Sequence, residues 1–217
     1  MFNNFFNIFI LILSASTAKA ETAVPLNESA WVVLSYNKIP ANKVIFSSDK
    51  LTVKVKNSAG PIVHKLEKIS KISEFFIKGK ITGSKANETT AFEEDSMLRF
   101  GLVAIGNQTL SGPKKWFAAD WVKKLFALAP EGIGLDKIYF YNFTQQSEFL
   151  GKSRAHPKSD LIVENIFAEV KPDGTFSAQK KIDPPIESTA IWISIDGDDT
   201  QSEYETEILE IKLNSTQ

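Results

Sequence analysis

The 217-residue sequence contains no cysteine, so it has no disulfide, no thiolate nucleophile and no cysteine that could carry a lipid. It has two histidines, His64 and His156, and neither has a second histidine at the spacing of a zinc site. A G-x-S-x-G nucleophile elbow, a P-loop and a G-x-G-x-x-G fingerprint are also missing. These absences exclude thiol chemistry and argue against a zinc enzyme, an α/β-hydrolase and a nucleotide-binding enzyme.

An excess of charge of either sign is missing as well. Lys and Arg number 25 against 26 Asp and Glu, which leaves a net charge of −1. This balance gives no reason to expect a nucleic acid or an anionic membrane surface as a partner. Hydrophobic residues make up 43% of the chain, enough for a core without a metal or disulfide, and the length suits one domain.

The first twenty residues have the pattern of a signal peptide. An apolar run from Phe5 to Leu13 is followed by small residues and by Ala18-Lys19-Ala20. The run is shorter than the roughly 20 residues that a membrane-spanning helix needs. We therefore predict cleavage after Ala20, a single mature domain over 21–217 without a membrane span, and a periplasmic or secreted location. The sequence gives no indication of the oligomeric state.

The mature chain reads as a series of short strands. Leu51–Lys56 alternates apolar and polar residues, and turn residues separate similar runs throughout the chain. One segment, 116–129, instead spaces its apolar residues as a helix of about three turns does, with Phe117, Trp121, Leu125 and Leu128 on one stripe. The pattern predicts an all-β fold, an antiparallel β-sandwich or jelly roll with one helical insertion near 116–129.

The last strand is expected to bury one face. Leu209, Ile211 and Leu213 alternate with Ile208, Glu210 and Lys212. Because side chains alternate between the two faces of a strand, the first set is predicted to be buried. Ile208 on the opposite face is an exception to this pattern.

The acidic segment Asp196-Gly197-Asp198-Asp199-Thr200 follows an apolar strand. A D-x-D-x-T element in that position is typical of haloacid-dehalogenase-like phosphatases, but only 17 residues follow Thr200, too few for the domain that such enzymes build. Asp196, Asp198 and Asp199 are instead candidate ligands of a hard cation such as calcium. The alternative is an acidic turn that points into solvent.

Three charged residues are candidate ligand-binding groups. Arg99 lies between apolar neighbours and follows Asp95, and Glu164 interrupts the apolar run 161–167. A charge within an apolar strand is costly unless it is paired or faces a cleft. We expect Arg99 to pair with Glu164 or Asp95, either as a structural ion pair or as part of a binding face.

These landmarks resemble an exported bacterial family, domain of unknown function 3047. The matching elements are Glu94-Asp95 before the strand with Arg99, the isolated Glu164 in a later strand, and Asp196 to Thr200 before the last strand. The resemblance implies a jelly-roll-like fold similar to carbohydrate-binding modules, and it implies no established activity.

Three hypotheses of function remain. The first is a binding or accessory module of the cell envelope that takes a glycan or another envelope component. The second is a carboxylate-dependent enzyme acting on a glycan, which needs two acids across one cleft. The third is a structural or partner-binding protein, which would have neither an aromatic platform nor paired acids in a cleft.

Overall fold

The computed structural model describes residues 20–84, 92, 96–157 and 159–216. Residues 1–19 of the predicted signal peptide and the candidate residue Asp95 lie outside this part of the chain, and both predictions stay predictions. Within it, no helix is long and apolar enough to cross a membrane. The strands are β1 (Ala20–Ala23), β2 (Val32–Val33), β3 (Lys43–Phe46), β4 (Leu51–Lys56), β5 (Ala59–Ser84), β6 (Arg99–Gly106), β7 (Gly134–Thr144), β8 (Ser153–Ala155), β9 (Ile162–Glu169), β10 (Thr175–Asp196) and β11 (Glu203–Thr216). The α-helices are α1 (Gly112–Phe117) and α2 (Asp120–Phe126), and short 3₁₀ turns lie at Glu28–Ala30 and Ser147–Phe149.

The strands form one continuous hydrogen-bonded path in the order β3-β4-β11-β5-β10-β6-β7-β9-β8. β1 pairs with β11, and β2 pairs with β5. Every pair is antiparallel except β7 with β9, which is parallel. The predicted all-β class is confirmed, and this parallel pair is a departure from the purely antiparallel sheets that alternation suggested.

Two long strands, β5 and β10, pass through both layers of a β-sandwich. Their pairing has a first stretch between 71–80 and 175–187 and a second between 59–65 and 190–196. One register shift lies within the first stretch, between Lys181 and Ile186, and another lies between the two stretches, between Ser188 and Ala190. The first stretch continues into β11 and β4, and the second continues into β6 and β7. The path therefore folds over into two facing layers that share these strands, as in sandwiches of the jelly-roll type.

Aromatic side chains fill the space between the layers. Phe75 of the first layer lies with its ring centroid 4.4 Å from that of Phe100 and 4.9 Å from that of Tyr141, both in the second layer. Phe143 and Phe176 make a further contact across the layers at 4.8 Å. Each fully buried phenylalanine contributes about 1.5–3 kcal/mol, so this cluster stabilises the packing of the two layers together with the aliphatic core around it.

The helical insertion covers part of the outer face of the second layer. Leu125 of α2 is 1% exposed and packs with Trp121 and Phe126 against side chains of β6, β7 and β10. The helical insertion predicted near 116–129 is present, but it consists of two short helices rather than one of about three turns. The helical conformation is interrupted at Ala119, whose ψ of 151° is extended. Phe117 is 90% exposed and so does not belong to the predicted apolar stripe. Alanine favours helices, so the spacing gave no sign of this break.

A β-bulge in β11 changes which residues are buried. The register with β5 shifts between Ile208 and Glu210. Ile208 is fully buried, whereas Leu209 is 39% exposed, and Ile211 and Leu213 are buried beyond the shift. The predicted buried face was therefore right for Ile211 and Leu213 and wrong for Leu209. One extra residue reverses the alternation at that point, which the sequence period does not reveal.

Candidate binding site

A cleft of about 250 Å³ opens on the outer face of the second layer, beside α2. Its floor comes from four neighbouring strands, β10, β6, β7 and β9, and its walls come from α2 and from the loops before β3 and after β8. Aromatic and charged side chains both line it, and the lining residues are Tyr36, Arg99, Trp121, Ile138, Phe140, His156, Ser159, Ile162, Glu164, Trp192, Ser194 and Asp196.

Strand register explains why these side chains meet. Trp192, Gly101, Phe140 and Glu164 are successive partners across β10, β6, β7 and β9. The next row along the strands contains Ser194, Arg99 and Asn142, and Asp196 follows Ser194 on the same face of β10. Since every second residue of a strand faces the same way, two adjacent rows supply both the aromatic and the charged part of the floor.

Gly101 makes room in the centre of the floor. A Cβ atom at this position would lie 2.8 Å from Phe140 Cε1 and 2.8 Å from the Trp192 carbonyl oxygen, closer than side chains normally approach. Any larger residue would push the Phe140 ring away from its place. The depth of the cleft therefore depends on the missing side chain of Gly101.

Arg99 lies between two carboxylates. Its Nη1 atom donates to Asp196 Oδ2 at 2.5 Å, and its Nε atom is 3.6 Å from Glu164 Oε1. Glu164 also accepts a hydrogen bond from Arg154 Nε at 2.7 Å and one from Asn142 Nδ2 at 3.4 Å. The expected pairing of Arg99 with Glu164 is present, and Asp196 is a second carboxylate partner of Arg99.

This network is largely removed from water. The side chain of Glu164 is 2% exposed, and those of Arg99 and Asp196 are each 11% exposed. Two guanidinium groups face two carboxylates, so the formal charges of these four side chains cancel. Ser194 Oγ lies 2.9 Å from Asp196 Oδ2, so Asp196 has a hydroxyl donor besides Arg99. Such pairing holds each group in one orientation.

Tyr36 contributes a protonated hydroxyl at the edge of the network. Burial raises the pKa of Tyr36 well above its ordinary value, and the negative charge of Asp196 acts in the same direction. The charge of Arg99 and a hydrogen bond with Ser194 lower this pKa by less. The hydroxyl therefore keeps its proton at neutral pH and remains available as a donor.

The candidate cation ligands do not come together in one cluster. Asp196 turns into the cleft, while Asp198 and Asp199 belong to the turn after β10, where Asp199 is exposed. In the described part of the chain, no group of three or more His, Cys, Asp or Glu side chains is placed to hold a metal ion. Calcium binding by this segment stays a prediction.

Several lining residues had no assigned role in the sequence interpretation. Trp192 and Ser194 were read as part of an apolar strand, Trp121 as a helix-stripe residue and His156 as a loop residue. The alternation of Trp192, Ser194 and Asp196 at every second position is the one signal that could have identified a polar face. Tyr36 and Ser159 carried no signal, because only the fold brings their loops to the cleft.

No family model matches the chain, and no curated protein matches it. Among solved structures, the xylan-binding module CBM15 is 11% identical, with a TM-score of 0.41, and the alignment covers 92% of this chain and 99% of the module. The VIP36 exoplasmic/lumenal domain, in a form bound to Ca²⁺ and Man3GlcNAc, is 8% identical with a TM-score of 0.38, covering 88% of this chain and 87% of that domain.

A third similar structure is the second N-terminal cellulose-binding domain of β-1,4-glucanase C from Cellulomonas fimi. It is 9% identical, with a TM-score of 0.32, and the alignment covers 93% of this chain and 99% of that domain. Similarities of this strength carry no inference about the cleft. The resemblance to the exported family, noted from short motifs, stays a prediction.

Proposed function

We propose that this protein is a carbohydrate-binding protein that takes one end or one short unit of a glycan in the cleft. The observation that carries the proposal is the combination of Trp121, Trp192 and Phe140 with the ion-paired network of Arg99, Glu164 and Asp196 in a single cleft. A sugar ring presents apolar C–H faces, which pack on aromatic rings, and hydroxyl groups that donate and accept hydrogen bonds.

The network suits a ligand with neutral hydroxyl groups. Because Arg99 and the two carboxylates are already paired, their charges need no charged ligand for neutralisation. Carboxylate oxygens accept from hydroxyls, and Tyr36 supplies a donor beside them. The orientation of these groups is set before a ligand arrives, so binding loses little side-chain entropy.

The size of the cleft limits the ligand. At about 250 Å³ the cleft is smaller than the roughly 300–1,000 Å³ that is typical of sites for drug-sized ligands. We therefore propose recognition of a sugar residue or chain end rather than of a long polysaccharide segment. Together with the predicted signal peptide, the proposal implies a ligand in the periplasm or outside the cell.

The second candidate function is a carboxylate enzyme acting on a glycan, because Glu164 and Asp196 both line the cleft. Such an enzyme needs one carboxyl group in its protonated form to assist the leaving group. Here Glu164 faces both Arg99 and Arg154, and Asp196 accepts from Arg99. Both carboxylates are thus engaged by guanidinium groups in ion pairs, and this arrangement supports binding over hydrolysis.

A glycan-array screen of the purified protein, followed by titration calorimetry with the best ligand, tests the proposal. We expect Trp121→Ala to weaken binding about tenfold or more, since a lost stacking contact is worth at least about 1.4 kcal/mol. Trp121→Phe keeps an aromatic face and should retain part of the affinity. Trp116→Ala is the matched control, because Trp116 is 83% exposed and does not line the cleft.

Two results would count against this proposal. The first is an array without any retained glycan, which would favour a structural or partner-binding protein. The second is equal affinity of the Trp121→Ala and Trp116→Ala variants for a retained glycan, which would place its site elsewhere. Product formation from a retained glycan, detected by mass spectrometry and lost in Glu164→Gln, would favour the enzyme.

A further inference from the structure

Two adjacent aromatic side chains project from the surface at the end of α1. Trp116 is 83% exposed and Phe117 is 90% exposed, more than any other large hydrophobic residue in the described part of the chain. Exposed aromatic rings of this size are costly in water, and neighbouring ones mark a contact surface. Neither of them lines the cleft, so this surface is separate from the proposed glycan site.

The segment around these rings is basic. Residues 112–126 contain four lysines and one aspartate, an excess of three positive charges in a chain whose net charge is −1. Asp120 forms an ion pair with Lys124 at 2.8 Å, and Lys115 and Lys123 are exposed. The near-neutral composition of the whole chain thus conceals a local cationic surface beside two exposed aromatic rings.

The segment is attached firmly to the body of the protein. Leu125 is buried in the cluster on the outer face of the second layer, and Lys124 Nζ donates to the Ser35 carbonyl oxygen. The break at Ala119 lies between this anchored helix and α1. The aromatic pair is therefore presented from a fixed base, close in sequence to the point where the chain is held.

We propose that the exposed side chains Lys115, Trp116, Phe117 and Lys123 of this segment form a docking surface for an anionic phospholipid bilayer. In this arrangement Trp116 and Phe117 insert at the level of the headgroups, where tryptophan in particular is favoured, and the lysines face lipid phosphates. Each lysine near an anionic surface strengthens binding about fivefold. This is peripheral attachment and involves no spanning helix.

The charge of the surface favours this occupant over two others. A second copy of the chain would bring an equally basic surface against this one, and like charges repel. A neutral glycan would stack on the rings and gain nothing from the lysines, whereas an anionic bilayer uses both features. Binding of a second copy or of a neutral glycan would each give a result that vesicle binding does not.

The experiment measures binding of the full chain to vesicles of phosphatidylcholine alone and of phosphatidylcholine mixed with phosphatidylglycerol. The readout is quenching of tryptophan fluorescence by lipids brominated in their acyl chains, and the difference between wild type and Trp116→Phe isolates Trp116. The apolar segment 1–20 contains no tryptophan, so it contributes no fluorescence to this signal. We expect quenching of Trp116 on the anionic vesicles, weakened by salt because surface charges are screened.

Variants should separate the contribution of the aromatic rings to vesicle binding from that of the lysines. In vesicle co-sedimentation, which does not depend on the fluorescence of Trp116, we expect Trp116→Ala with Phe117→Ala, and separately Lys115→Glu with Lys123→Glu, to weaken binding to the anionic vesicles more than tenfold. Leu150→Ala, a 41% exposed residue outside the segment, is the control and should bind as wild type does. All five positions are exposed, so folding is expected to be unaffected, and circular dichroism checks this.

Three results would overturn the proposal. One is equal quenching on the two vesicle types, or quenching that the lysine variants leave unchanged. Another is self-association in sedimentation velocity that the aromatic variants abolish, which would identify a second copy as the occupant. The last is loss of glycan affinity, without loss of vesicle binding, in the aromatic variants. Failure of glycan binding in the Trp121 experiment leaves this proposal intact, since Trp116 enters that experiment only as a control outside the cleft.

Discussion

Replacing Arg99 with methionine removes the centre of the ion-pair network while keeping most of the aliphatic stem. In the variant, Glu164 still accepts from Arg154 Nε at 2.7 Å and from Asn142. Asp196 keeps the hydroxyl of Ser194, which has one proton to donate. In the variant, Asp196 therefore loses a cationic partner, whereas Glu164 keeps Arg154.

The loss of unfolding free energy in this variant depends on how deeply the ion pair is buried. Breaking a buried ion pair by removing one partner costs about 3–5 kcal/mol, because a charge is left without compensation. Since Glu164 retains Arg154 and Asp196 is 11% exposed, we expect the lower end of this range, about 3 kcal/mol. For a domain of this size, that loss lowers the melting temperature by about 6–12 °C.

Urea denaturation at pH 7, followed by tryptophan fluorescence and circular dichroism, measures the loss. The double variant Arg99→Met with Asp196→Asn should be less destabilised than the sum of the single variants, which is the signature of direct coupling. Lys56→Met is the matched control: Lys56 pairs with Glu203 at 3.6 Å, but the two side chains are 78% and 70% exposed. We expect little change in stability from that control.

A loss below about 1 kcal/mol for Arg99→Met would refute this reasoning. It would mean that water reaches Arg99 and Asp196 in solution and that the floor of the cleft is not buried. Additive effects in the double variant would lead to the same conclusion, because independent sites do not couple.

Three further predictions address other parts of the molecule. Gly101→Ala should destabilise the fold by about 1–3 kcal/mol in urea denaturation and weaken binding of any glycan found on the array, because its Cβ would lie 2.8 Å from atoms of Phe140 and Trp192. Unchanged stability and affinity would show that the floor of the cleft adjusts freely. Burial raises the pKa of Tyr141 from 10.0 to about 12, so its contribution to stability is fully present below pH 10 and is lost as the pH rises through 12. Stability measured across this window should fall less in Tyr141→Phe than in wild type, and identical profiles would contradict the assignment. If Asp198 and Asp199 hold calcium, added calcium raises the melting temperature and Asp198→Asn removes the rise; no shift would favour a solvated turn.

Local features of the fold followed from the sequence because they depend on neighbouring residues. Leu51, Val53 and Val55 alternate with polar residues, and all three are 2% exposed or less. The pairing of strands did not follow, because alternation says which face a residue takes and not which strand lies beside it. The continuity of β5 over 26 residues, through both layers, also has no local signal.

The candidate site was predictable where a charge interrupts an apolar run. Arg99 and Glu164 were identified in this way, since such charges need partners. Trp192 was not, because the end of β10 is buried on both faces, and the apolar residues of its inner face obscure the alternation of Trp192, Ser194 and Asp196. Asp196 was assigned to a loop with Asp198, whereas it is the last residue of β10 and shares the face of Ser194.

The sharing of β5 and β10 by both layers has a consequence for how the chain folds. Ala59 pairs with Asp196 and Lys80 with Thr175, so this ladder joins segments that are far apart along the chain. Bringing such segments together costs loop-closure entropy before any contact repays it, and folds of this kind form in milliseconds to seconds. Because each layer needs these two strands, neither can complete first as an independent unit. The chain is therefore expected to stay open until most of its length is present and then to close in one cooperative step.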